Sequence, residues 1–429
     1  MVIDPLALDT SVPALVLKVG TYALHHGGLG VVLSLGRHGV PVYGQFEERF
    51  TPAAVSRHLR GRFVWHCDAD DPDRFLEGMA MVGERLGRPT VLIPTDDLGA
   101  ILTSEHAPTL SRWFRFPQPP PGLAHLLASK KGLYELCSKL GVPFAQVSFP
   151  ISRRDVEDFT ATASFPVVAK VIEVWLLPAN AGLKSTTIIH RPEDLLDLYK
   201  KLEGEPAGNL MLQEYIPRGF GQDWFFHGDA RSECLVSFTG VKLRSYPPYA
   251  GPTSLGISRD NDVLRAKAEA LLRTIAYRGI MDLDFRLDLR DGEYKLLDFN
   301  PRVGAQFRVF EDDAAIDVVR ALHLDLTGRK VRRRPQVEGR VFVVEPGDLL
   351  AGVAYARAGD LDLRSWLSSL RGTSREPAWF ARDDLAPFLL MCLRFLLRGV
   401  RRALRLRTRQ DRKASALRYV PAGRWGRLP

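Results

Sequence analysis

The sequence predicts a chain of mixed α/β and α+β class: an N-terminal βα domain, a larger module in which helices mix with antiparallel strands, and a basic, helical C-terminal region. Three observations predict it. Short apolar runs alternate with helical spacing over the first hundred or so residues; a Pro-Gln-Pro-Pro-Pro-Gly run at 117–122 then breaks the pattern; and beyond it helical segments alternate with extended runs that end in a hairpin signal at Arg290-Asp291-Gly292.

In chain order, Ala14–Val19 is an apolar strand candidate, Leu29–Arg37 a helical segment that stops before Gly39, and Val40–Gly44 a second strand. Arg62–His66 and Thr90–Pro94 are further short strands, with helical spacing over Asp73–Leu86 between them. Such repetition gives an open, largely parallel sheet. Gly27-Gly28-Leu29-Gly30 lacks the full dinucleotide fingerprint; it either admits substrate at the sheet edge or serves as a turn or in fold packing. His25 and His26 beside it lack a neighbouring nucleophile or metal pattern. Thr95-Asp96-Asp97 follows a strand, where it either caps a helix or meets a substrate.

The proline run closes a substrate-side βα domain at residues 1–125. A helix at Leu126–Leu140 opens the next module and is ended by Gly141-Val142-Pro143. A short helix at Asp155–Thr162 follows, then strands at Val167–Val171, Asn209–Ile216 and Asp223–Phe226, and a helix at Asn261–Tyr277. Met281–Leu289 and Glu293–Phe299 pair across the Asp291-Gly292 turn. Residues 126–325 form this α+β module; a basic join at Arg329–Arg334 leads into a C-terminal region, 326–429.

Composition narrows the class. At 429 residues and 45% hydrophobic, the chain can fill several cores. Its four cysteines, Cys67, Cys137, Cys234 and Cys392, lack the spacing of a metal knuckle or redox pair, and Met1–Asp9 lacks the basic and apolar regions of a secretory signal. Cytoplasmic residence is therefore expected. The net charge of +9 is misleading, because residues 394–429 hold 12 Lys or Arg and one Asp, leaving the remainder slightly acidic. Nucleic acid is accordingly not an expected partner.

Two constellations carry chemistry. Lys130 opens a helix and Lys170 stands inside the apolar strand Pro166–Val171. A lysine there either snorkels to solvent or lies against phosphate oxygens. In the hairpin, Asp298 and Asn300 share one face by alternation, and pairing can bring Asp284 beside them. The three either offer oxygen ligands to Mg²⁺ or form a solvent-facing polar edge. Arg302, just beyond, either orients a substrate carboxylate or makes a surface ion pair. Lys242 and Arg244 are spaced to face one side of an extended chain, toward anionic chemistry or toward solvent.

Lys130 before Gly141-Val142-Pro143, Lys170 after Phe165-Pro166-Val167-Val168, Gln213-Glu214-Tyr215-Ile216, and Asp298-Phe299-Asn300-Pro301-Arg302 together resemble the ordered motifs of ATP-grasp ligases. The resemblance covers roughly residues 12–325 and is nearest to carboxylate–amine ligases of the D-aspartate-ligase kind. It implies an ATP-grasp catalytic module at 126–325, with a lid at approximately 165–215. Lys130 and Lys170 would contact ATP phosphates, Gln213, Glu214, Tyr215 and Ile216 would meet adenine, and Asp223 the ribose. Asp284, Asp298 and Asn300 would hold one or two Mg²⁺, for which Mn²⁺ can substitute. Lys170, Lys184, Lys242, Arg244 and Arg302 would be the catalytic cations.

Three departures from the family pattern stand out: Asp298 where glutamate is usual, Ser129 where aspartate often precedes the first lysine, and a single glycine in Asn180–Thr186 where many relatives have a Gly-rich flap. Lys184 in that flap either replaces the missing backbone nest or is an exposed lid residue.

The activity implied is ATP-dependent joining of a small carboxylate to an amine through an acyl phosphate, with release of ADP and phosphate. The alternatives are an amino-acid ligase of a natural-product pathway and a noncatalytic ATP sensor. No general base stands out. At the C-terminus, Phe388–Leu393 and Phe395–Leu397 with arginines at 394, 398, 401, 402 and 405 predict an amphipathic helix. It either lies on an anionic membrane surface or packs its apolar side on the body with the arginines solvated.

Overall fold

A computed structural model of the chain describes residues 8–20, 24–65, 71–173, 186–202, 209–217, 222–249 and 251–399. Of the expected lid at approximately 165–215, residues 174–185, with Lys184, and 203–208 lie outside them, as does the tail from 400 onward.

Three sheets follow one another along the chain. The first joins β1 (Ala14–Leu17), β2 (Val42–Phe46), β3 (Leu59–Val64), β4 (Thr90–Pro94) and β5 (Phe114–Arg115), all parallel, in the order β3-β2-β1-β4-β5. β1 is apolar throughout because both of its faces are covered: Ala14 and Val16 enter one core, Leu15 and Leu17 another. The helix Pro72–Leu86 is bounded as its sequence directs, with Asp71 accepting from the Arg74 amide at one end and Gly87 at φ +63° at the other.

The second sheet is antiparallel: β6 (Val147–Ser148), β7 (Val167–Val171), β8 (Thr186–Ile189) and β9 (Leu210–Glu214), in the order β6-β9-β7-β8. The third holds β10 (Asp223–Ala230), β11 (Cys234–Ser245), β12 (Thr253–Ser258), β13 (Gly279–Asp288), β14 (Glu293–Asn300), β15 (Arg340–Val343) and β16 (Ser374–Pro377), in the order β14-β13-β10-β11-β12-β15-β16. β15 and β16 follow residue 325, yet they lie in the same sheet as the hairpin.

Two local expectations are refined. Of turn and packing, the Gly27-Gly28-Leu29-Gly30 run serves packing, for it begins the buried helix His26–Gly36. Small residues are needed there because a Cβ on Gly30 would stand 2.8 Å from the Phe307 ring, which packs directly on the helix backbone. The single helix expected at Leu126–Leu140 is two, Leu123–Ala128 and Lys130–Leu140, separated by extended Ser129. Their close approach is again glycine-dependent: a Cβ on Gly132 would lie 2.6 Å from the Leu126 carbonyl oxygen.

The first and third sheets share one core. Val16, Val32 and Leu35 of the N-terminal domain pack in the same cluster as Phe225, Phe238, Phe307, Phe310 and Trp379. Its centre is Phe310, stacked on Phe238 at 5.9 Å and tilted against His227 at 4.9 Å. The other face of the third sheet packs Trp224, Phe226 and Phe299 against the helices Lys130–Leu140 and Asp262–Thr274. Trp224 and Phe225 are thus core residues. Truncating Phe310 to alanine should destabilise the chain by about 3–5 kcal/mol, read as a lower urea midpoint; an unchanged midpoint would show that the two sheets do not depend on this packing.

Candidate functional site

Between the second and third sheets lies a cleft of ≈ 360 Å³, lined by Lys170, Gln213, Glu214, Tyr215, Ile216, Asp223, Lys242, Asp284 and Arg286 among others. Residues from 170 to 286 in the chain meet here because β7 and β9 form one wall and β10, β11 and β13 the other.

The floor is the β13–β14 hairpin. Counting from its turn, Asp288 pairs with Glu293 and Phe285 with Leu296; continued unchanged, that register would set Asp284 opposite Leu297 and turn Asp298 to the other face. A bulge intervenes, and Asp284 instead pairs with Asp298 and Asp282 with Asn300. The extra residue is Leu297. Its carbonyl accepts the Tyr134 hydroxyl at 3.1 Å, and that hydroxyl accepts from Gln213 Nε2 at 2.8 Å. The Gln213 side chain is therefore tied to the scaffold, and Tyr134 belongs to the helix whose first residue, Lys130, places Nζ 2.7 Å from Asp298 Oδ1.

The paired carboxylates differ in charge preference. Burial raises the Asp284 pKa, with Asp298 adding to it and Lys242 Nζ, 3.3 Å away, opposing. Burial acts on Asp298 the same way, but Lys130 and Lys170 outweigh it and hold its pKa low. Lys242 also stands 5.9 Å from the centre of the Phe225 ring. Lys170 has no ion-pair partner among the described residues, and burial together with the Lys130 charge pushes its pKa down to about 8. Three lysines thus converge on this pair of carboxylates: Lys130 is paired to Asp298, Lys242 to Asp284, and Lys170 to neither.

At the wall, Asp223 is ion-paired to Arg286 at 2.5 Å, and Arg286 also reaches the Ile216 carbonyl at 3.3 Å. Glu214 accepts from the Gln146 amide at 3.0 Å and pairs with Arg290 at 3.2 Å, so its side chain is occupied; Glu214, Tyr215 and Ile216 all line the cleft.

Asn300 and Arg302 belong to an adjoining cluster around Asp282, a residue that sequence reading did not single out. Asn300 donates to the Asp282 carbonyl at 3.1 Å; Arg302 Nη1 reaches Asp282 Oδ2 at 2.9 Å, and Arg302 Nε lies 3.2 Å from Asp97 Oδ1 in the N-terminal domain. Arg302 Nη2 is bonded to none of the described residues. Buried His227 stands 3.0 Å from the other Asp282 oxygen. Burial alone would raise the Asp282 pKa, yet His227 and Arg302 hold it at about 2. The available signal was alternation, since Asp282 shares the strand face of Asp284. Neighbouring Asp96 caps the helix Asp97–Glu105, accepting from the Gly99 amide at 3.0 Å.

The expectation that Arg244 faces the cleft beside Lys242 is corrected. Lys242 pairs with Gly256 but Arg244 with Leu255, so an extra residue on β11 reverses the alternation. Arg244 is buried in a bidentate pair with Asp348, at 2.8 and 2.9 Å, and serves the scaffold. Lys184 cannot be placed, lying outside the described residues.

No family model matches the chain. A curated protein, the D-aspartate ligase of Enterococcus faecium, is 27% identical over 282 residues, which are 60% of this chain; the chain spans only 64% of that relative's length. Among solved structures, the Staphylococcus aureus N5-carboxyaminoimidazole synthetase complexed with ADP is similar with a TM-score of 0.58 at 12% identity, covering 77% of this chain and 81% of that one. The biotin carboxylase domain of the Hydrogenobacter thermophilus 2-oxoglutarate carboxylase, in complex with MgADP, ADP and bicarbonate, has a TM-score of 0.54 at 16% identity and covers 75% and 71%. At these identities the likeness is one of fold. Two β-sheets closing on a cleft, beside a parallel βα domain, therefore give this chain a mixed α/β, ATP-grasp-type multidomain fold.

Proposed function

We propose that the protein is an ATP-dependent carboxylate–amine ligase that forms an amide through an acyl phosphate and releases ADP and phosphate. The observation that carries this reading is the half-buried Lys170, which lines the cleft with no ion-pair partner among the described residues. A lysine so placed suits an anionic phosphate oxygen.

In this reading Lys170 and Lys242, on opposite walls, bind phosphate oxygens and stabilise the charge spread over the transferred phosphoryl group. The backbone of Glu214–Ile216 meets the adenine edge, and Asp223, held by Arg286, meets the ribose. Asp284 and Asp298 suit a divalent cation, since they face each other in register and each is balanced by a lysine that a cation can displace. Among the described residues no group of three His, Cys, Asp or Glu forms a closed metal site, so Asn300 and nucleotide oxygens would have to help hold the ion. Mg²⁺ there, or Mn²⁺ in its place, would supply Lewis-acid polarisation of the phosphoryl oxygens.

Arg302 orients the carboxylate substrate through Nη2, while Asp282 and Asp97 fix the rest of its guanidinium. A carboxylate alone is a poor acylating agent because oxide is a poor leaving group. Phosphorylation converts that oxygen into part of a competent one, and a neutral amine then attacks the acyl carbon. The relative named D-aspartate ligase supports an amino-acid carboxylate as the substrate class.

Direct product analysis with a productive substrate pair should give ADP and phosphate; AMP and pyrophosphate would exclude the mechanism. In the same assay Asp298→Ala should lower turnover about a hundredfold or more while the protein stays folded, whereas Asp291→Ala, at the hairpin turn, should change it less than about twofold. Equal turnover in the two variants would remove Asp298 from the site.

A second test uses Lys170. Its pKa of about 8 lies below the ordinary 10.5, and bound phosphate favours the protonated form, so nucleotide binding raises it. Affinity should be full below about pH 8 and fall as pH rises through that value. Titration calorimetry of ADP near that pH, in buffers of different ionisation enthalpy, should register proton uptake that Lys170→Arg removes. The same uptake in the variant would assign it to another group.

A further inference from the structure

The C-terminal helix combines parts of both sequence expectations, packing some of its apolar residues on the body and leaving others outward. Within residues 385–399, Met391 is buried, Phe388 and Cys392 pack on the core shared by the two domains, and Arg394 also faces the body. Arg394 is ion-paired to Glu48 and donates to the Phe50 carbonyl at 2.6 Å. Leucines occupy the opposite face. Leu385, Leu389, Leu393, Leu396 and Leu397 are between 46% and 66% exposed, and spacings of three and four residues align them in one stripe. Phe50, next to the Arg394 contact, is 63% exposed. A run of outward leucines is costly in water unless something covers it.

The surroundings indicate what does. Asp383, just before the helix, accepts from Arg37 and lies 3.0 Å from His58 Nε2. His58 lines a concavity of ≈ 790 Å³ whose lining also includes Arg57, Arg60, Arg62, Arg85 and Arg88 and, among the described residues, no acidic side chain. Arg60, Arg85 and Arg88 have no carboxylate partner among the described residues. Beyond the helix the chain continues with arginines at 401, 402, 405, 407 and 409. A second copy packed on the stripe would bring two such cationic segments together, which charge repulsion opposes. An anionic surface with an apolar interior satisfies both features. Among the described residues no helix is long and apolar enough to cross a membrane, so the contact lies in the plane of the interface.

We propose that this face, comprising the leucine stripe, Phe50 and the adjoining arginine concavity, docks on an anionic lipid bilayer. The leucines enter the acyl boundary while the guanidinium groups meet lipid phosphates. This inference stands independently of the ligase reading, because none of these residues lines the nucleotide cleft.

The test is cosedimentation of the full chain with vesicles of phosphatidylglycerol and phosphatidylcholine, against phosphatidylcholine alone, at low and high salt. Truncation is unsuitable because Phe388 and Met391 pack on the core; the exposed pair Leu389→Glu with Leu396→Glu leaves that packing intact. Wild type should bind the anionic vesicles and be weakened by salt, and the double variant should bind at least about tenfold less. Its melting temperature and its lipid-free nucleotide binding should match wild type. Four results would overturn the proposal: binding indifferent to lipid charge and salt; undiminished binding by the folded double variant; a lipid-free dimer that the double variant abolishes; or attachment to duplex DNA with no affinity for vesicles.

Discussion

The bulge at Leu297 is the constraint on which the candidate site depends. Without it the hairpin would place Asp284 and Asp298 on opposite faces of the sheet, and the two carboxylates would not meet. The same residue couples the hairpin to its surroundings, since its carbonyl is held by Tyr134, Tyr134 is held by Gln213 of the opposing sheet, and the helix carrying Tyr134 begins with Lys130. One irregular residue thereby sets the distances among a lysine, two aspartates and a wall of the cleft. A second bulge, on β11, has the reverse effect: it keeps Lys242 in the cleft and sends Arg244 into the scaffold with Asp348.

This division explains what could be read from the sequence. Strand and helix positions followed from periodicity, because β1, Thr90–Pro94 and Val167–Val171 are apolar runs whose burial dictates their composition. The hairpin was legible from Asp291-Gly292, where Gly292 adopts φ +75°. The bulges were not, since alternation assumes an unbroken period of two and neither Leu243 nor Leu297 carries a composition signal. Reading Lys242 and Arg244 as one face failed for that reason. Asp282 was missed because its partners, His227, Arg302 and the Asn300 amide, come from three separate strands or loops and meet only after folding. For the glycines at 27, 28 and 30 the sequence left turn and packing open, because close helix packing and chain reversal both call for the absence of a side chain.

The N-terminal domain is not a loose appendage to the cleft. It shares the Phe310 core with the seven-stranded sheet, and Asp97 reaches across to Arg302, so the guanidinium is held from both domains. A rigid joint of this kind suits a reaction in which a carboxylate must meet a phosphoryl group within a narrow range of geometry. The C-terminal helix is anchored to the same N-terminal domain through Glu48 and the Phe50 loop, so in the proposed docking the cleft would keep a constant distance from the bilayer.

The central claim is that the cleft activates a carboxylate by moving a phosphoryl group onto one of its oxygens, and heavy-oxygen labelling tests this most directly. With both carboxylate oxygens of the acceptor labelled, and ATP and amine unlabelled, mass analysis of the products follows where the label goes. The account predicts that one labelled oxygen leaves in inorganic phosphate for each amide formed, the other remaining in the amide carbonyl. Amide formation with no label in phosphate, or with the label in AMP, would contradict it.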